Sequence, residues 1–271
     1  MKIYIIRHGQ TEWNKSGRLQ GQTDIALNEN GRELAIKVSQ ALKDIPFDRA
    51  VSSPLSRSIE TAELVLRENV GRAGEALRCG AVWKRKESLL EQKQDEEGSS
   101  GEDVTQATEQ NALNAAGVGS ALSTVHETNI LSTDEHIKEI SFGEYEGFSI
   151  PSTSMFTGDP KFAITDPEFH NFFDAPEKYQ PPKGGESISH LIERAGEFLK
   201  ELAEEARAAE QQEELILVST HGAASRALLA NIKHTELKDF WYPGVPKNCS
   251  VSIAELRDGV WEMVEQDVIY Y

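Results

Sequence analysis

The stretch Lys2-Ile3-Tyr4-Ile5-Ile6-Arg7-His8-Gly9 decides how this chain folds. The run from Ile3 to Ile6 is apolar and rich in β-branched side chains, a pattern that predicts a short strand buried on both faces. The run stops at Arg7 and His8, and Gly9 then lets the backbone come close to a ligand. Because ligands of open α/β sheets bind beyond the carboxyl ends of the strands, this ending predicts a polar site there.

A second apolar run, Leu215 to Val218, repeats the arrangement and leads into Thr220-His221-Gly222. If the two strands are parallel neighbours, His8 and His221 meet at one site together with Arg7. A helix that begins near Ala223 would add backbone N–H groups and a partial positive charge, which favour an anion. We therefore expect this helix N-terminus to form part of an anion site.

The rest of the chain alternates between helical and strand patterns. Asn28 is a suitable N-cap for an amphipathic helix, and Arg49 to Ser53 is typical of a strand. A second amphipathic helix carries Ile188 on its apolar side, and Asp258-Gly259 predicts a two-residue hairpin turn. The pattern predicts an α/β fold, a three-layer αβα sandwich with a mostly parallel central sheet and a C-terminal antiparallel hairpin.

We expect residues 1–271 to form a single domain with two irregular additions. The stretch at about 71–128 is polar, contains the acidic run 95–103 and has few large apolar residues, so we interpret it as a partly mobile insertion. The stretch at about 149–183 is a proline-rich cap segment. Its aromatic residues are expected to pack this segment onto the core rather than to cover the site; they are Phe156, Phe162, Phe169, Phe172, Phe173 and Tyr179.

Composition excludes several classes of partner. The net charge of −17 argues against a nucleic-acid or anionic-membrane partner, because neither finds a basic surface to meet. We expect a cytoplasmic protein, since the sequence has neither an apolar run of membrane-spanning length nor a signal-peptide pattern. Cys79 and Cys249 are far apart and are expected to stay reduced. The sequence leaves a homo-oligomer open.

A metal site is the alternative use for two histidines at neighbouring strand ends. A zinc or di-metal phosphatase would need further His, Asp or Glu ligands near those ends. The first loop offers Glu12 and Asp24, but no such pattern follows the other strands. An arginine directly before His8 also suits an anion rather than a cation, so we expect neither a metal nor a cofactor.

Several ordered blocks carry a resemblance to a known family. The chain resembles the histidine phosphatase superfamily, the phosphoglycerate mutase-like proteins, over nearly its whole length except residues 71–128. The blocks are Arg7-His8-Gly9-Gln10-Thr11-Glu12-Trp13-Asn14, Gly17-Arg18-Leu19-Gln20-Gly21, Ser52-Ser53-Pro54-Leu55-Ser56-Arg57, Glu139-Ile140-Ser141-Phe142-Gly143-Glu144-Tyr145-Glu146-Gly147, Gly184-Gly185-Glu186-Ser187 with Arg194, and Ser219-Thr220-His221-Gly222.

The resemblance implies catalytic roles for His8, Arg7, Arg57 and His221. His8 would attack phosphorus through a ring nitrogen and form a phosphohistidine, which divides one hard displacement into two. Arg7, Arg57 and His221 would surround the non-bridging oxygens and stabilise the charge of the in-line transition state. We interpret Glu186 and Arg194 as a structural helix-start residue and a surface residue.

Glu139 would be the general acid that protonates the leaving oxygen and later accepts a proton from water. The nearby carboxylates of Glu135, Glu144 and Glu146 are expected to raise its pKa. Substrate-binding residues complete the predicted site. They are Asn14, Gln20 and Gly222, and Asn14 could equally close a turn.

Two features favour a phosphatase over a mutase. The family's mutases usually have a Gly-Trp pair where this chain has Gly21-Gln22, and a basic run after the acidic block where this chain continues Phe148-Ser149-Ile150-Pro151-Ser152. The resemblance therefore implies a phosphoric monoester hydrolase of the histidine acid phosphatase type, acting on a small-molecule phosphate ester. The alternatives are a phosphoglycerate mutase-type transfer and a non-catalytic phospholigand-binding domain.

Overall fold

The computed structural model describes residues 1–85, 130–149, 163–208 and 213–271. Within these residues, seven strands form one sheet in the order β3-β4-β2-β5-β1-β6-β7. Neighbouring strands are parallel from β3 through to β1, whereas β6 is antiparallel to β1 and β7 is antiparallel to β6. The strands are β1 (Lys2–Arg7), β2 (Arg49–Ser52), β3 (Lys84–Arg85), β4 (Leu131–Thr133), β5 (Leu215–Thr220), β6 (Val251–Arg257) and β7 (Val260–Val268).

Helices flank the sheet on both sides. Asn28 caps the second of them, because its side chain accepts a hydrogen bond of 2.8 Å from the N–H of Gly31. The α-helices are α1 (Glu12–Lys15), α2 (Glu29–Leu42), α3 (Ser56–Leu66), α4 (Arg72–Arg78), α5 (Asn171–Asp174), α6 (Ile188–Ala208) and α7 (Gly222–Lys233). Short 3₁₀ turns span Glu135–Ile137, Gly143–Tyr145, Pro167–His170, Pro176–Lys178 and Leu237–Asp239.

The side chains of β1 point alternately to the two faces of the sheet, and this explains the three layers. Ile3 and Ile5 point into a core that also contains residues of α6 and α7. Tyr4 and Ile6 point into a second core that contains residues of α2, α3 and α4. Since successive side chains of a strand face opposite sides, one apolar run supplies both cores. The predicted αβα sandwich with a mostly parallel sheet and a C-terminal antiparallel hairpin is confirmed.

The two additions differ in how they join the core. In the described part of the first, α4 buries Ala73 in the second core and β3 pairs with β4 at the sheet edge, so residues 71–85 belong to the packed domain. The remainder of the predicted insertion, and Phe156 and Phe162 of the cap segment, lie outside the described residues. Phe169, Phe172 and Tyr179 are buried and contact one another, so these side chains pack their segment onto the first core.

None of the helices in the described ranges combines the length and the apolar character needed to cross a bilayer.

Candidate active site

Parallel pairing of β1 with β5 places the two histidines together. Arg7 lies opposite Thr220 in the register, and the N–H of His8 donates to the carbonyl of Thr220 over 2.8 Å. The ring centroids of His8 and His221 are 5.1 Å apart, and both side chains are buried. The site therefore forms at the carboxyl edge of the sheet, where the strand endings predict it.

The backbone around Gly9 sets the proton arrangement of His8. Nδ1 of His8 lies 2.6 Å from the carbonyl oxygen of Gly9, and a carbonyl only accepts, so Nδ1 carries the proton. This leaves the lone pair on Nε2. Burial, followed by the charges of Arg57 and Arg7, holds the pKa of His8 well below its ordinary value, so the neutral form is favoured.

Arg57, in the first turn of α3, is fully buried and organises the first loop. Its Nη1 donates to the carbonyl of Thr23 over 2.9 Å and its Nη2 to the carbonyl of Gly21 over 2.7 Å. Burial lowers the pKa of Arg57 to about 10, partly opposed by Glu139, so the guanidinium stays charged at neutral pH. The Nη1 of Arg7 donates to the carbonyl of Pro246, which fixes the second guanidinium.

Three buried nitrogens of this site have no hydrogen-bond partner among the described residues. They are Nε of Arg7, Nε of Arg57 and Nδ1 of His221. A buried donor without a partner costs about 1–3 kcal/mol, which a ligand oxygen would recover. Guanidinium and imidazole nitrogens are the kinds of donor that suit a dianion such as a phosphoryl group.

Ser53 is a polar partner in the site that is not among the residues predicted from the sequence. Its Oγ lies 2.6 Å from Nε2 of His221, and both groups are buried. Burial, followed by the charge of Arg57, holds the pKa of His221 well below its ordinary value. The position of Ser53 at the end of β2, beside β5, was the available signal.

Glu139 lies at the N-terminus of α7. Its Oε2 accepts from the N–H of Ala223 over 3.2 Å, and its Oε1 accepts from the N–H of Ala224 over 3.1 Å. The prediction that this helix end is open to an anion is therefore corrected, because a protein carboxylate already caps it. The capping brings Glu139 to the same edge as the histidines.

The acidic neighbours of Glu139 are engaged elsewhere. Both carboxylate oxygens of Glu146 accept from backbone N–H groups, of Gln22 over 2.9 Å and of Thr23 over 2.7 Å. Glu135 forms an ion pair of 3.4 Å with Lys138. Glu146 and Glu135 therefore each have partners other than Glu139.

A buried ion pair supports the main chain of Glu139. Arg194 Nη2 and Gln22 Nε2 each donate to the carbonyl of Glu139 over 3.1 Å. Arg194 is in turn paired with Glu186 at 2.7 Å, with side chains only 13% and 10% exposed. The interpretation of Arg194 as a surface residue is therefore wrong, because it packs inside and holds the segment that carries Glu139.

The three predicted substrate-binding residues have different surroundings. Asn14 Oδ1 accepts from the N–H of Thr11 over 3.2 Å, which closes the turn at the start of α1. Gln20 is buried, and its Oε1 accepts from the Thr11 hydroxyl over 2.7 Å, so it holds the loop. A Cβ added to Gly222 would lie 3.6 Å from Nε of Arg7 and from Oε2 of Glu139. Contact of these residues with a substrate stays a prediction.

One group of possible metal ligands lies within the described residues. Ligand atoms of Asp134, His136 and Glu201 are all within 4.8 Å of one another. Oδ1 of Asp134 accepts from the N–H of His136 and lies 3.0 Å from its Nδ1, so the group has internal partners. It shares no residue with the site around His8.

Comparison with known proteins places the chain in a family. A model of the histidine phosphatase superfamily (branch 1) matches residues 3–75 and 120–268. Over 65 residues the chain is 40% identical to a probable phosphoglycerate mutase GpmB of Erwinia tasmaniensis, covering 24% of this chain and 30% of that protein. Over 63 residues it is 41% identical to an uncharacterized phosphatase PhoE of Bacillus subtilis, covering 23% and 33% respectively. The chain thus matches only about a third of the length of these relatives.

A solved structure matches over almost the whole chain. The fold is similar to that of YhfR from Bacillus stearothermophilus, with a TM-score of 0.65 and 24% sequence identity over 99% of this chain and 98% of that one.

Proposed function

The chain belongs to the histidine phosphatase superfamily, and from this premise we propose that it is a metal-independent phosphomonoesterase that works through a phosphohistidine on a small phosphorylated metabolite. The observation that carries the proposal is the pairing of a neutral His8, whose Nδ1 faces the Gly9 carbonyl, with three buried nitrogens that lack hydrogen-bond partners among the described residues. The neutral His8 supports the role of nucleophile, and the unpartnered nitrogens support a binding site for the phosphoryl group.

In the first step, Nε2 of His8 attacks phosphorus and the bond from phosphorus to the ester oxygen breaks. Arg7, Arg57 and His221 donate to the non-bridging oxygens, where negative charge develops. The hydroxyl of Ser53 can donate to Nε2 of His221, so that neutral His221 carries its proton on Nδ1 and donates without being charged. Protonated Glu139 gives its proton to the leaving oxygen, which departs as an alcohol.

In the second step, water attacks the phosphohistidine. Glu139, now a carboxylate, accepts a proton from this water, while the bond between phosphorus and Nε2 breaks and inorganic phosphate forms. The fixed proton on Nδ1 leaves His8 neutral and ready for the next cycle.

A phosphoglycerate mutase-type transfer is the second candidate, because a relative with 40% identity over 65 residues carries that name. In that reaction the phosphohistidine would return its phosphoryl group to a substrate instead of to water. The Gly21-Gln22 pair in place of Gly-Trp favours the phosphatase.

The experiment measures phosphate release from p-nitrophenyl phosphate and from a panel of phosphorylated metabolites, in a chelating buffer, with the wild-type protein and His8→Ala. We expect release by the wild type and loss of at least about a thousandfold in the variant. Conversion of 3- to 2-phosphoglycerate without phosphate release would favour the mutase. A wild-type protein that binds phosphate but transfers no phosphoryl group would indicate a phospholigand-binding domain.

A further inference from the structure

Asn248 lies beside the nucleophile in a segment held at several points. The N–H of Cys249 donates to the carbonyl of Arg7 over 2.9 Å, and the side chain of Arg7 donates to the carbonyl of Pro246. The hydroxyl of Tyr271 donates to the carbonyl of Asn248 itself over 2.8 Å. These contacts fix the backbone at Asn248 and on both sides of it.

The amide of Asn248 bridges two parts of the site. Its Nδ2 lies 3.0 Å from the carbonyl oxygen of His8 and 3.3 Å from Oδ1 of Asn14. The NH₂ group has two hydrogens, so it can donate to both oxygens at once. One side chain thereby connects the backbone of the nucleophile to the turn that carries Asn14.

The orientation of the Asn14 amide follows from the same contacts. The backbone N–H of Thr11 can only donate, so the end of the amide that faces it at 3.2 Å must be the oxygen. Asn248 supplies a second donor to that oxygen. With both lone pairs of Oδ1 used in this way, the NH₂ end of Asn14 is the part left to donate to an anion.

We propose that Asn248 is a positioning residue, which turns the NH₂ of Asn14 toward the phosphoryl group and holds the backbone of His8 in place for attack. The inference rests on the proposed function for the identity of the ligand. It adds a residue outside the blocks that carry the family resemblance.

The test is a double-variant cycle on Asn248→Ala and Asn14→Ala. Isothermal titration calorimetry gives the Kd for inorganic phosphate, and p-nitrophenyl phosphate gives kcat. Loss of a donor to a charged ligand predicts a Kd about tenfold weaker for Asn14→Ala. Asn248→Ala should weaken phosphate binding about three- to tenfold and also lower kcat. The double variant should bind phosphate within about twofold of Asn14→Ala alone, because the two residues act through one contact.

Asn231→Ala is the matched control. Its Nδ2 also donates to two oxygens, the carbonyls of Ile192 and Ala227 at 2.8 and 2.9 Å, but it joins α6 to α7. We expect this variant to lose stability in urea while keeping the Kd for phosphate. If Asn248→Ala fails to fold, Asn248→Ser takes its place in the cycle.

Additive losses in the double variant, or an Asn248→Ala protein with wild-type Kd and kcat, would overturn the inference. A wild-type protein that binds phosphate and hydrolyses no ester would refute the proposed function, while the Kd values would still decide the role of Asn248. If the wild type binds no phosphate, Asn14 has no anion to contact, and both the predicted anion site and the inference about Asn248 are refuted.

Discussion

Oγ of Ser53 lies 2.6 Å from Nε2 of His221, and this contact joins the ends of two neighbouring strands, β2 and β5. A hydroxyl that donates to Nε2 assigns the remaining proton to Nδ1, which is the nitrogen without a partner among the described residues. With the hydroxyl as the donor, the Nδ1 side of the ring is the side that can donate to an anion.

Replacing Ser53 with Ala should lower kcat/KM for p-nitrophenyl phosphate about tenfold, because His221 would then lose the donor that selects its tautomer. Steady-state kinetics measures this change. The control is Ser39→Ala, since the Ser39 hydroxyl is also buried but donates to the carbonyl of Val65 in the second core. Equal kinetic losses in the two variants would contradict the assignment.

The buried histidines should make stability depend on pH. The pKa of His8 and of His221 is lowered in the folded state, so below about pH 6.5 the unfolded chain binds more protons than the folded one. The free energy of unfolding should therefore fall as the pH drops through 6.5, by up to about 1.4 kcal/mol per pH unit for each histidine.

Urea unfolding at pH 7.0 and 5.5 measures this dependence for the wild type and for the double variant His8→Gln/His221→Gln. The double variant should lose less stability between the two pH values than the wild type does. His234→Asn serves as the control and should keep the wild-type difference, because His234 is exposed at the end of α7 and Asn tolerates its positive φ of 53°. An unchanged difference in the double variant would show that these histidines do not titrate as argued.

The buried pair of Arg194 and Glu186 gives a prediction about stability. Arg194→Ala would remove the guanidinium partner of the buried Glu186 and leave the exposed His190 beside it, and it should lower the free energy of unfolding by about 3 kcal/mol. Lys200→Ala on the same helix removes an exposed pair with Glu197 and should leave the free energy of unfolding nearly unchanged.

Urea denaturation compares the two variants. The kinetic consequence is a lower kcat in Arg194→Ala protein that is still folded, because the carbonyl of Glu139 loses a donor. Similar stabilities for the two variants would mean that the Arg194 pair behaves as a surface pair.

The sequence predicts the parts of this molecule that depend on short-range patterns. The apolar runs that end at His8 and His221 predict two buried strands, and their parallel pairing brings both histidines to one edge. The hairpin at Asp258-Gly259 also follows from local turn chemistry, since Asp258 and Gly259 both have positive φ values.

Contacts between distant segments could not be predicted in the same way. The capping of α7 by Glu139 joins residues about 84 positions apart, and nothing in the local sequence of Ala223 or Ala224 indicates that partner. The burial of Arg194 does not follow from its sequence, because charged residues are mostly exposed and only the fold places a carboxylate and two carbonyls around this side chain.

Substitution by alanine should have different effects on stability at two glycines of the site, Gly9 and Gly222. A Cβ on Gly9 would lie 2.5 Å from the carbonyl oxygen of Gly31, so Gly9→Ala must displace backbone and should destabilise the fold by about 2 kcal/mol or more. A Cβ on Gly222 would lie 3.6 Å from its nearest neighbours, which is an ordinary contact. Alanine also has a higher helix propensity than glycine. The free energy of unfolding of Gly222→Ala should therefore stay within about 1 kcal/mol of the wild-type value.

The activity of Gly222→Ala should nevertheless fall. Its methyl group would lie beside Nε of Arg7 and Oε2 of Glu139, so we expect a lower kcat/KM. Thermal unfolding measures the change in stability of both variants, and phosphatase kinetics measures the change in activity. A Gly222→Ala enzyme with full activity would show that the substrate does not occupy the space beside Gly222.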